Sequence, residues 1–476
     1  MLRRCLLPVA CWLIAGIAAA ETTPLGVDEV LEASSRHFPS IVQSLAARRA
    51  AEGTALSAQG AFDLVFDAEG FSRLSGFYDG TAVNGTMRQR IRPLGADLYA
   101  GYKVSDGTFP IYEDENFTNL GGAAKVGVMF SLLRDRTIDQ QRFGELDAEL
   151  GLRAADFDLL LTRIGVQQRA QIAYWRWVTE GRKLRVYENL LLIAQERQDA
   201  LARQVQQGAR ARIFLTENLQ NITRRQSLVR LAEREVALAA NNLSLYYRDA
   251  EGSPVVPETD RLPPGARLDE IGDLARIDEL AMSSAIDRRP ELSLLRNAIE
   301  RERNRIALAE NALKPQLDFG MEVQTGLGGV GEGGVSRDST DTIVGFTFSV
   351  PLQRRAEKGR LQRSRANLDA RLAEQQLAEE QIQLELRNVL LDLRTSRDLL
   401  YLASQEVEQS EIMRDAEQRR FESGASDFFL VNIREEVAAN ARIKLLEAEL
   451  ETRLSRANYD AATVDLGRLG LSAALP

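Results

Sequence analysis

The sequence predicts a mainly α-helical protein with a smaller β portion, built as two copies of one unit. Two proline-free tracts, 111–253 and 352–475, leave room for helices of exceptional length, because proline costs a helix interior about 3 kcal/mol. Alternating stretches, Gly121–Leu132 and Thr342–Leu352, stand at matching places beside these tracts. The same order occurring twice indicates an internal repeat.

The N-terminus and the composition limit the classes of protein that fit. Residues 1–20 are typical of a secretory signal, with basic Arg3 and Arg4, an apolar core and a small-residue end at Ala18–Ala20. Cys5 and Cys11 both lie inside it, so we expect a mature chain without a thiol. Removing the two arginines changes the formal charge from −9 to −11. We therefore expect no nucleic-acid partner, since such partners need clustered positive charge.

The β portion is predicted from alternation with a period of two. In the returning strand of the second unit, Val344, Phe346 and Phe348 face one way and Thr347 and Ser349 the other. A soluble sandwich would alternate too, but strands of about ten residues after a secretory signal favour a membrane barrel. No apolar stretch of about 18 residues follows the signal, so a helical membrane span is not expected.

The same alternation assigns polar residues to the inner face of such a barrel, where they would make an acidic lining. The candidates are Asp67, Glu69, Lys125, Asp318 and Glu322.

The two units differ in what joins their strands. The second uses a short glycine-rich loop, Gly326–Asp341, whereas the first inserts about Ser72–Leu120. Within the insertion Leu98–Val104 alternates, and a weaker alternating stretch near Thr86–Ile91 is a candidate partner strand. The insertion therefore adds strands or forms an ordered extracellular loop, and the sequence leaves both open.

Helices account for the rest of each unit. A long helix of about 70 residues spans on the order of 100 Å and ends in a glycine turn, at Gly208 or Gly424, that suits a C-cap. The predicted helices are 27–60, 135–207 and 213–247 in the first unit and 277–313, 353–423 and 428–466 in the second. Helical hairpins of this kind bury their apolar faces only by packing side by side.

These elements give a domain plan. We expect a signal peptide at 1–20, a first repeat at 21–249, a proline-rich connector at 250–276, a second repeat at 277–468 and a C-terminal tail at 469–476.

An enzyme is not expected. His37 is the single histidine, and the P-loop, Gly-x-Ser-x-Gly and HExxH motifs are all absent. Acidic pairs such as Glu435-Glu436 are more often solvated faces or interhelical ion pairs on helices. No cofactor or metal is predicted.

The residues resemble the TolC-like outer membrane efflux protein family over essentially the whole mature chain. Phe348–Leu352 (FSVPL) resembles the family's strand-to-helix corner, and Arg420–Gly424 (RFESG) its helix–turn signature. Gln204–Gly208 is a degenerate first copy of that signature. The double occurrence in the right order is the specific feature.

This resemblance implies a homotrimer in the outer membrane of a Gram-negative bacterium, in contact with its lipid. Four strands from each chain, with extra ones if the insertion supplies them, would build a twelve-stranded β-barrel continued by an α-helical periplasmic barrel. It implies passive export driven by an inner-membrane transporter through a periplasmic adaptor protein.

The resemblance also assigns candidate site residues at the helix turns. It implies adaptor docking and tunnel closure at Gln204–Leu215 and Arg420–Glu435, the docking candidates being Val205, Gly208, Arg420, Phe421 and Gly424. Family members often carry acidic residues beyond the second glycine, but Leu430 and Ile433 stand there. The candidates for the constriction are therefore Asp427 and Asn432, or an apolar ring with Phe429 or Leu430.

Two alternatives stay open at this point. A type I protein secretion duct would have the same fold. A periplasmic coiled-coil structural or adaptor protein would explain the helices but not the two apolar-faced hairpins.

Overall fold

A computed structural model describes residues 23–110, 115–265, 271, 279–331 and 339–471. The predicted signal peptide, much of the connector's end, the Ile277 start of the second repeat and the end of the tail lie outside these residues. The helices are α1 Val27–His37, α2 Pro39–Gln59, α3 Gln140–Gln206, α4 Ile213–Ser244, α5 Glu279–Arg288, α6 Pro290–Ala312, α7 Arg355–Glu422 and α8 Phe428–Ala462. The strands are β1 Val65–Arg73, β2 Gly80–Ile91, β3 Ala96–Gly107, β4 Ala123–Ser131, β5 Gln316–Gly326 and β6 Thr340–Ser349.

The prediction of a mostly helical protein with an antiparallel sheet is confirmed. The long helices begin and end within a few residues of their predicted bounds. None of the helices in the described part of the chain is both long and apolar enough to cross a lipid bilayer.

Two of the predicted helices are broken by a proline. The first predicted helix ends at His37 and restarts at Pro39. The first helix of the second repeat ends at Arg288 and restarts at Pro290. Phe38 and Arg289 between them are extended, with ψ of 126° and 118°. A residue before proline avoids the helical region because the proline ring clashes with it, so one continuous helix was the wrong expectation in both places.

The chain divides into two compact units, which are not the two sequence repeats. Each compact unit contains segments from both halves of the sequence. The first unit comprises Met1–Phe38, Gln167–Arg276 and Asp392–Ala457; the second comprises Pro39–Val166, Ile277–Leu391 and Asn458–Pro476.

The second unit holds a six-stranded antiparallel sheet in the order β1-β2-β3-β4-β5-β6. The open question about the insertion is answered, because Ser72–Leu120 contributes β2 and β3. As a result β1 pairs with β2, not with the returning strand β4 as in a simple hairpin. Within the described residues, β1 and β6 each have one free edge.

The first unit is built on an aromatic core. Trp177 is fully buried, and Tyr174 donates a 2.7 Å hydrogen bond to the carbonyl oxygen of Leu25. Leu262, from the proline-rich connector, packs in the same cluster with Leu243. The Tyr174–Trp177 segment thus packs with the connector, and this cluster anchors the connector.

Candidate functional site: the polar sheet face and the two helix turns

The strand register gives the sheet two chemically different faces. Residues directly opposite each other share a face in an antiparallel pair, so the register can be followed across all six strands. One face is rich in large apolar side chains: Phe66, Val83, Met87, Leu98, Val104, Val126, Val128, Phe130, Leu317, Phe319, Met321, Val323, Val344, Phe346 and Phe348. The other face, here called the polar face, carries the charged side chains of the strands apart from Asp106, which lies at the end of β3 on the apolar face.

All five residues predicted to line a lumen lie on the polar face. Asp67 is opposite Thr86, which is opposite Gly101, which in turn is opposite Lys125. The same relay places the other three, Glu69, Asp318 and Glu322, on this face. The structure therefore brings the five onto one surface, as the alternation predicted.

Hydrogen bonds and charges connect several of these residues. The Tyr99 hydroxyl donates to a carboxylate oxygen of Glu322 at 2.8 Å, and Lys125 Nζ lies 4.0 Å from that carboxylate. The hydroxyl of Ser131 donates to Asp318 at 2.7 Å. Tyr99 also covers Gly127, where an added Cβ would lie 2.3 Å from the ring. Tyr99 was not among the predicted lumen residues, because its role depends on the inserted strand β3.

The inserted strands change the charge of the polar face. The register places Arg88, Arg90 and Lys103 there, together with Asp97. Strands β1, β4, β5 and β6 carry five acidic and two basic residues on this face: Asp67, Glu69, Asp318, Glu322 and Asp341 against Arg73 and Lys125. With β2 and β3 the totals become six acidic and five basic. An acidic face was expected, whereas the six-stranded face is nearly balanced.

The turn between β2 and β3 is fastened to the start of α3. Arg90 pairs with Asp97 across the hairpin at 3.3 Å and with Asp139 at 3.2 Å. Burial alone would raise the pKa of Asp139. The hydrogen bonds and the charge of Arg142, together with the charge of Arg90, outweigh this effect and lower the pKa overall. Asp139 accepts from the backbone N–H of Arg142 at 2.9 Å and so caps α3. The carboxylate joins the inserted hairpin to the helix.

The two glycine turns, which both belong to the first compact unit, have the same backbone geometry. Gly208 has φ of 73° and Gly424 has φ of 77°. The N–H of the next residue bonds to a carbonyl five residues back, Ala209 to Gln204 at 2.9 Å and Ala425 to Arg420 at 2.8 Å. The glycine N–H bonds three residues back in both turns, to Val205 or Phe421. This pattern is the Schellman motif, which needs a left-handed residue after the helix.

An aromatic cluster brings the two turns together. The buried ring of Phe428 lies 6.2 Å from that of Phe421 and 6.1 Å from that of Phe214. The guanidinium of Arg210 lies 5.0 Å from the Phe421 ring and 5.7 Å from the Phe214 ring. Predicted residues from the second turn thus pack with residues after the first, of which Phe214 and Arg210 were not singled out.

A buried ion cluster lies further along the same helices. The carboxylate of Glu435 pairs with Arg197 and, at 3.0 Å, with Arg225, whose side chain is only 2% exposed. Arg225 also donates to the carbonyl of Leu190 at 2.7 Å. Glu435 is therefore an interhelical ion-pair partner joining α3, α4 and α8, the second of the two roles considered for it.

The constriction candidates occupy different environments. Asn432 is buried and accepts from Arg197 at 2.8 Å. Asp427 is exposed and accepts from the backbone N–H of Phe429 at 3.0 Å, which caps α8. Phe429 and Leu430 are 58% and 42% exposed, and Ile433 continues this apolar strip on α8. Of the four constriction candidates, Asp427, Phe429 and Leu430 are exposed in the single chain, and Asn432 is not.

Among the described residues, no group of three or more His, Cys, Asp or Glu side chains is arranged to hold a metal ion.

Comparison with known proteins gave two kinds of match. The family model described as outer membrane efflux protein matches residues 281–463. Comparison with curated protein sequences gave no match.

Solved structures match over nearly the whole chain. A membrane protein from Pseudomonas aeruginosa has a TM-score of 0.62 at 15% identity, covering 97% of this chain and 99% of that one. The open state of the Neisseria gonorrhoeae MtrE outer membrane channel has a TM-score of 0.63 at 15% identity, covering 92% and 88%. The Campylobacter jejuni CmeC outer membrane channel has a TM-score of 0.60 at 12% identity, covering 97% and 94%. At these identities the structures show the shared fold.

The family match and the shared fold confirm the resemblance recognised from the sequence: residues 281–463 of this chain match the outer membrane efflux protein family, and the fold is shared with outer membrane channels. Its activity is that of an outer membrane efflux channel, and its location is the outer membrane.

Proposed function

We propose that three copies of this chain close one continuous β-barrel in the outer membrane and give substrates a passive exit. The two-faced sheet with free edges carries this proposal. Unpaired backbone groups on β1 and β6 cannot face hydrocarbon, because nothing there would satisfy them. Neighbouring copies with cyclic symmetry would pair β6 of one chain with β1 of the next.

The two faces of the sheet support one orientation of the barrel wall. The apolar face, with Phe346 and Phe348 largely exposed in the single chain, would contact lipid, and the polar face would line the lumen. The two sequence repeats would each supply part of the barrel and part of the helical tunnel, with 250–276 as connector.

The helix turns suit the periplasmic end of such a tunnel. The resemblance assigns adaptor docking to Gln204–Leu215 and Arg420–Glu435, and the rigid Schellman turns would present Val205, Gly208, Arg420, Phe421 and Gly424 there. The energy would come from an inner-membrane transporter. Type I secretion uses the same duct and is not distinguished.

Closure of the tip would use the exposed strip on α8. With Asn432 buried, the favoured constriction is an apolar ring from Phe429 and Leu430, with Asp427 beside it, because apolar rings gate by expelling water.

The mass of the assembly tests the trimer. The mature chain, extracted in mild detergent from isolated outer membranes, should have the protein-only mass of three copies by light scattering. A monomer or dimer, or recovery only from soluble periplasm, would contradict the proposal and favour the coiled-coil alternative.

A pair of neighbouring substitutions tests the orientation. Phe346→Lys puts a charge on the apolar face and should cost about 2–4 kcal/mol near the bilayer centre, reducing the amount of trimer in the outer membrane. Thr347→Lys, on the polar face, should assemble normally. Equal behaviour of the two variants would contradict a wall with two different faces, and loss of trimer for Thr347→Lys alone would reverse the proposed faces.

A further inference from the structure

The hairpin β2–β3 is paired on both sides along most of its length. Every residue of β2 has a partner in β3, and Gly80–Arg88 also have partners in β1. On the far side, Asp97–Lys103 of β3 pair with β4. A segment with ladder partners on both flanks is a part of the sheet and not a flap that lies over it.

The hairpin also follows the two-face pattern of its neighbours. Met87 and Leu98 lie on the apolar face, in line with Phe66 and Val128. Thr86 and Lys103 lie on the polar face. A loop with a separate role would have no reason to keep this alternation in phase across four strands.

The hairpin begins and ends at one point of the sheet. Gly80 and Gly107 are register partners, and just outside them the backbone N–H of Thr108 bonds to the carbonyl of Asp79 at 2.9 Å. An insertion with this geometry adds two antiparallel strands and leaves the direction of β1 and β4 unchanged.

We propose that the inserted hairpin is part of the barrel wall, so that the trimer closes eighteen strands and not the twelve implied by the resemblance. This inference rests on the proposed function. With strands about 4.8 Å apart and tilted by about 40°, the backbone diameter would be about 36 Å, against about 24 Å for twelve strands. The outer opening would then admit much bulkier cargo.

The hairpin also sets the charge of that opening. It brings three basic residues and one acidic residue to the polar face, so each chain changes from five acids and two bases to six and five. The wider lumen would therefore select weakly between cations and anions.

Single cysteines test whether the hairpin is in the wall. Both native cysteines lie in the first 20 residues, so Thr86→Cys and Met87→Cys would be unique in the mature chain. In trimers reconstituted in lipid discs, a water-soluble maleimide should label Thr86→Cys and leave Met87→Cys unlabelled. Labelling of both would place the hairpin in water outside the wall and overturn the proposal, while the trimer itself would still support the proposed function.

Removal of the hairpin tests the width. Deleting residues 80–107 should let β1 pair with β4, and the register relay would then put Asp67 opposite Lys125 with both faces preserved. Gln324→Cys on β5 reports access from the outside in both backgrounds. The largest polyethylene glycol maleimide that labels it should be clearly smaller after the deletion. An unchanged limit in an intact trimer would overturn the proposal.

A strand count covers the case in which the deletion variant does not fold. Electron cryomicroscopy of the unmodified trimer should show eighteen wall strands. Twelve wall strands in a trimer would overturn the inference alone, and a monomeric particle would instead overturn the proposed function.

Discussion

In the Gly208 turn the preceding glutamines are exposed and Val205 is half-buried, whereas the Gly424 turn has Phe421 before the glycine and Asp427 and Phe428 after it. The backbone hydrogen bonds of the two turns are nevertheless the same. The motif itself requires little more than a residue that tolerates positive φ. The same backbone turn thus carries different side chains: the second turn contributes two rings of the aromatic cluster, Phe421 and Phe428, and the first contributes Phe214 together with Arg210.

The largest effect is expected from breaking the ion cluster on α8. Glu435→Gln leaves Arg225 and Arg197 without a carboxylate in a buried site, which should cost about 3–5 kcal/mol. The denaturant midpoint of the detergent-extracted protein, at one protein concentration, measures this.

Its matched control is the next residue. Glu436 pairs with Arg224 at 2.6 Å, but both side chains are well exposed, so Glu436→Gln should cost at most about 1 kcal/mol. Similar midpoints for the two variants would mean that Glu435 is hydrated in the assembled protein.

A comparable loss is expected at the aromatic cluster. Phe428→Ala empties a fully buried site and should cost about 3–5 kcal/mol. Phe429→Ala, at the exposed neighbour, should change the stability of the protomer by about 0.5 kcal/mol or less. Thermal unfolding of the two variants side by side measures the difference, and a larger effect at Phe429 would indicate that its ring is buried between chains.

The two glycines should respond alike. An added Cβ meets nothing within 4 Å at Gly208 or Gly424, so alanine costs only the left-handed backbone conformation, about 1–2 kcal/mol. Equal midpoint shifts for Gly208→Ala and Gly424→Ala are expected. A markedly larger shift at Gly424 would show that the packing around the second turn, and not the backbone alone, needs glycine.

The smallest effect concerns the helix cap that the structure shows at the second turn. Asp427→Ala removes the acceptor for the Phe429 N–H and should cost about 1 kcal/mol. Asp427→Asn keeps an acceptor and should restore most of this stability. If alanine and asparagine lower the unfolding midpoint equally, the charge of Asp427 matters and not its hydrogen bond.

The sequence was sufficient for features that depend on local chemistry. Proline-free tracts predicted α3 and α7, glycine predicted the two turns, and alternation placed Asp67 and Glu322 on one face. These follow from backbone restrictions and from a period of two, which act within a few residues along the chain.

Features that depend on distant partners were not predictable in the same way. The pairing of β2 with β1 and β3, and the meeting of Arg225 with Glu435, join segments far apart in sequence. A glutamate on a helix has the same local pattern whether it is solvated or buried against two arginines. Tertiary packing decides between these two states, and the local pattern of a single sequence does not predict which distant segments pack together.

The contacts of Arg90 have a consequence for how the enlarged sheet finds its alignment. A slip of one residue would exchange the two faces of a strand, and a long insertion offers many such misalignments. Arg90 meets Asp97 across the hairpin and Asp139 at the start of α3 only in the observed register. The insertion thus fixes its own register, and a misregistered hairpin would take Arg90 away from the buried carboxylate of Asp139 and leave Arg142 to pair with it.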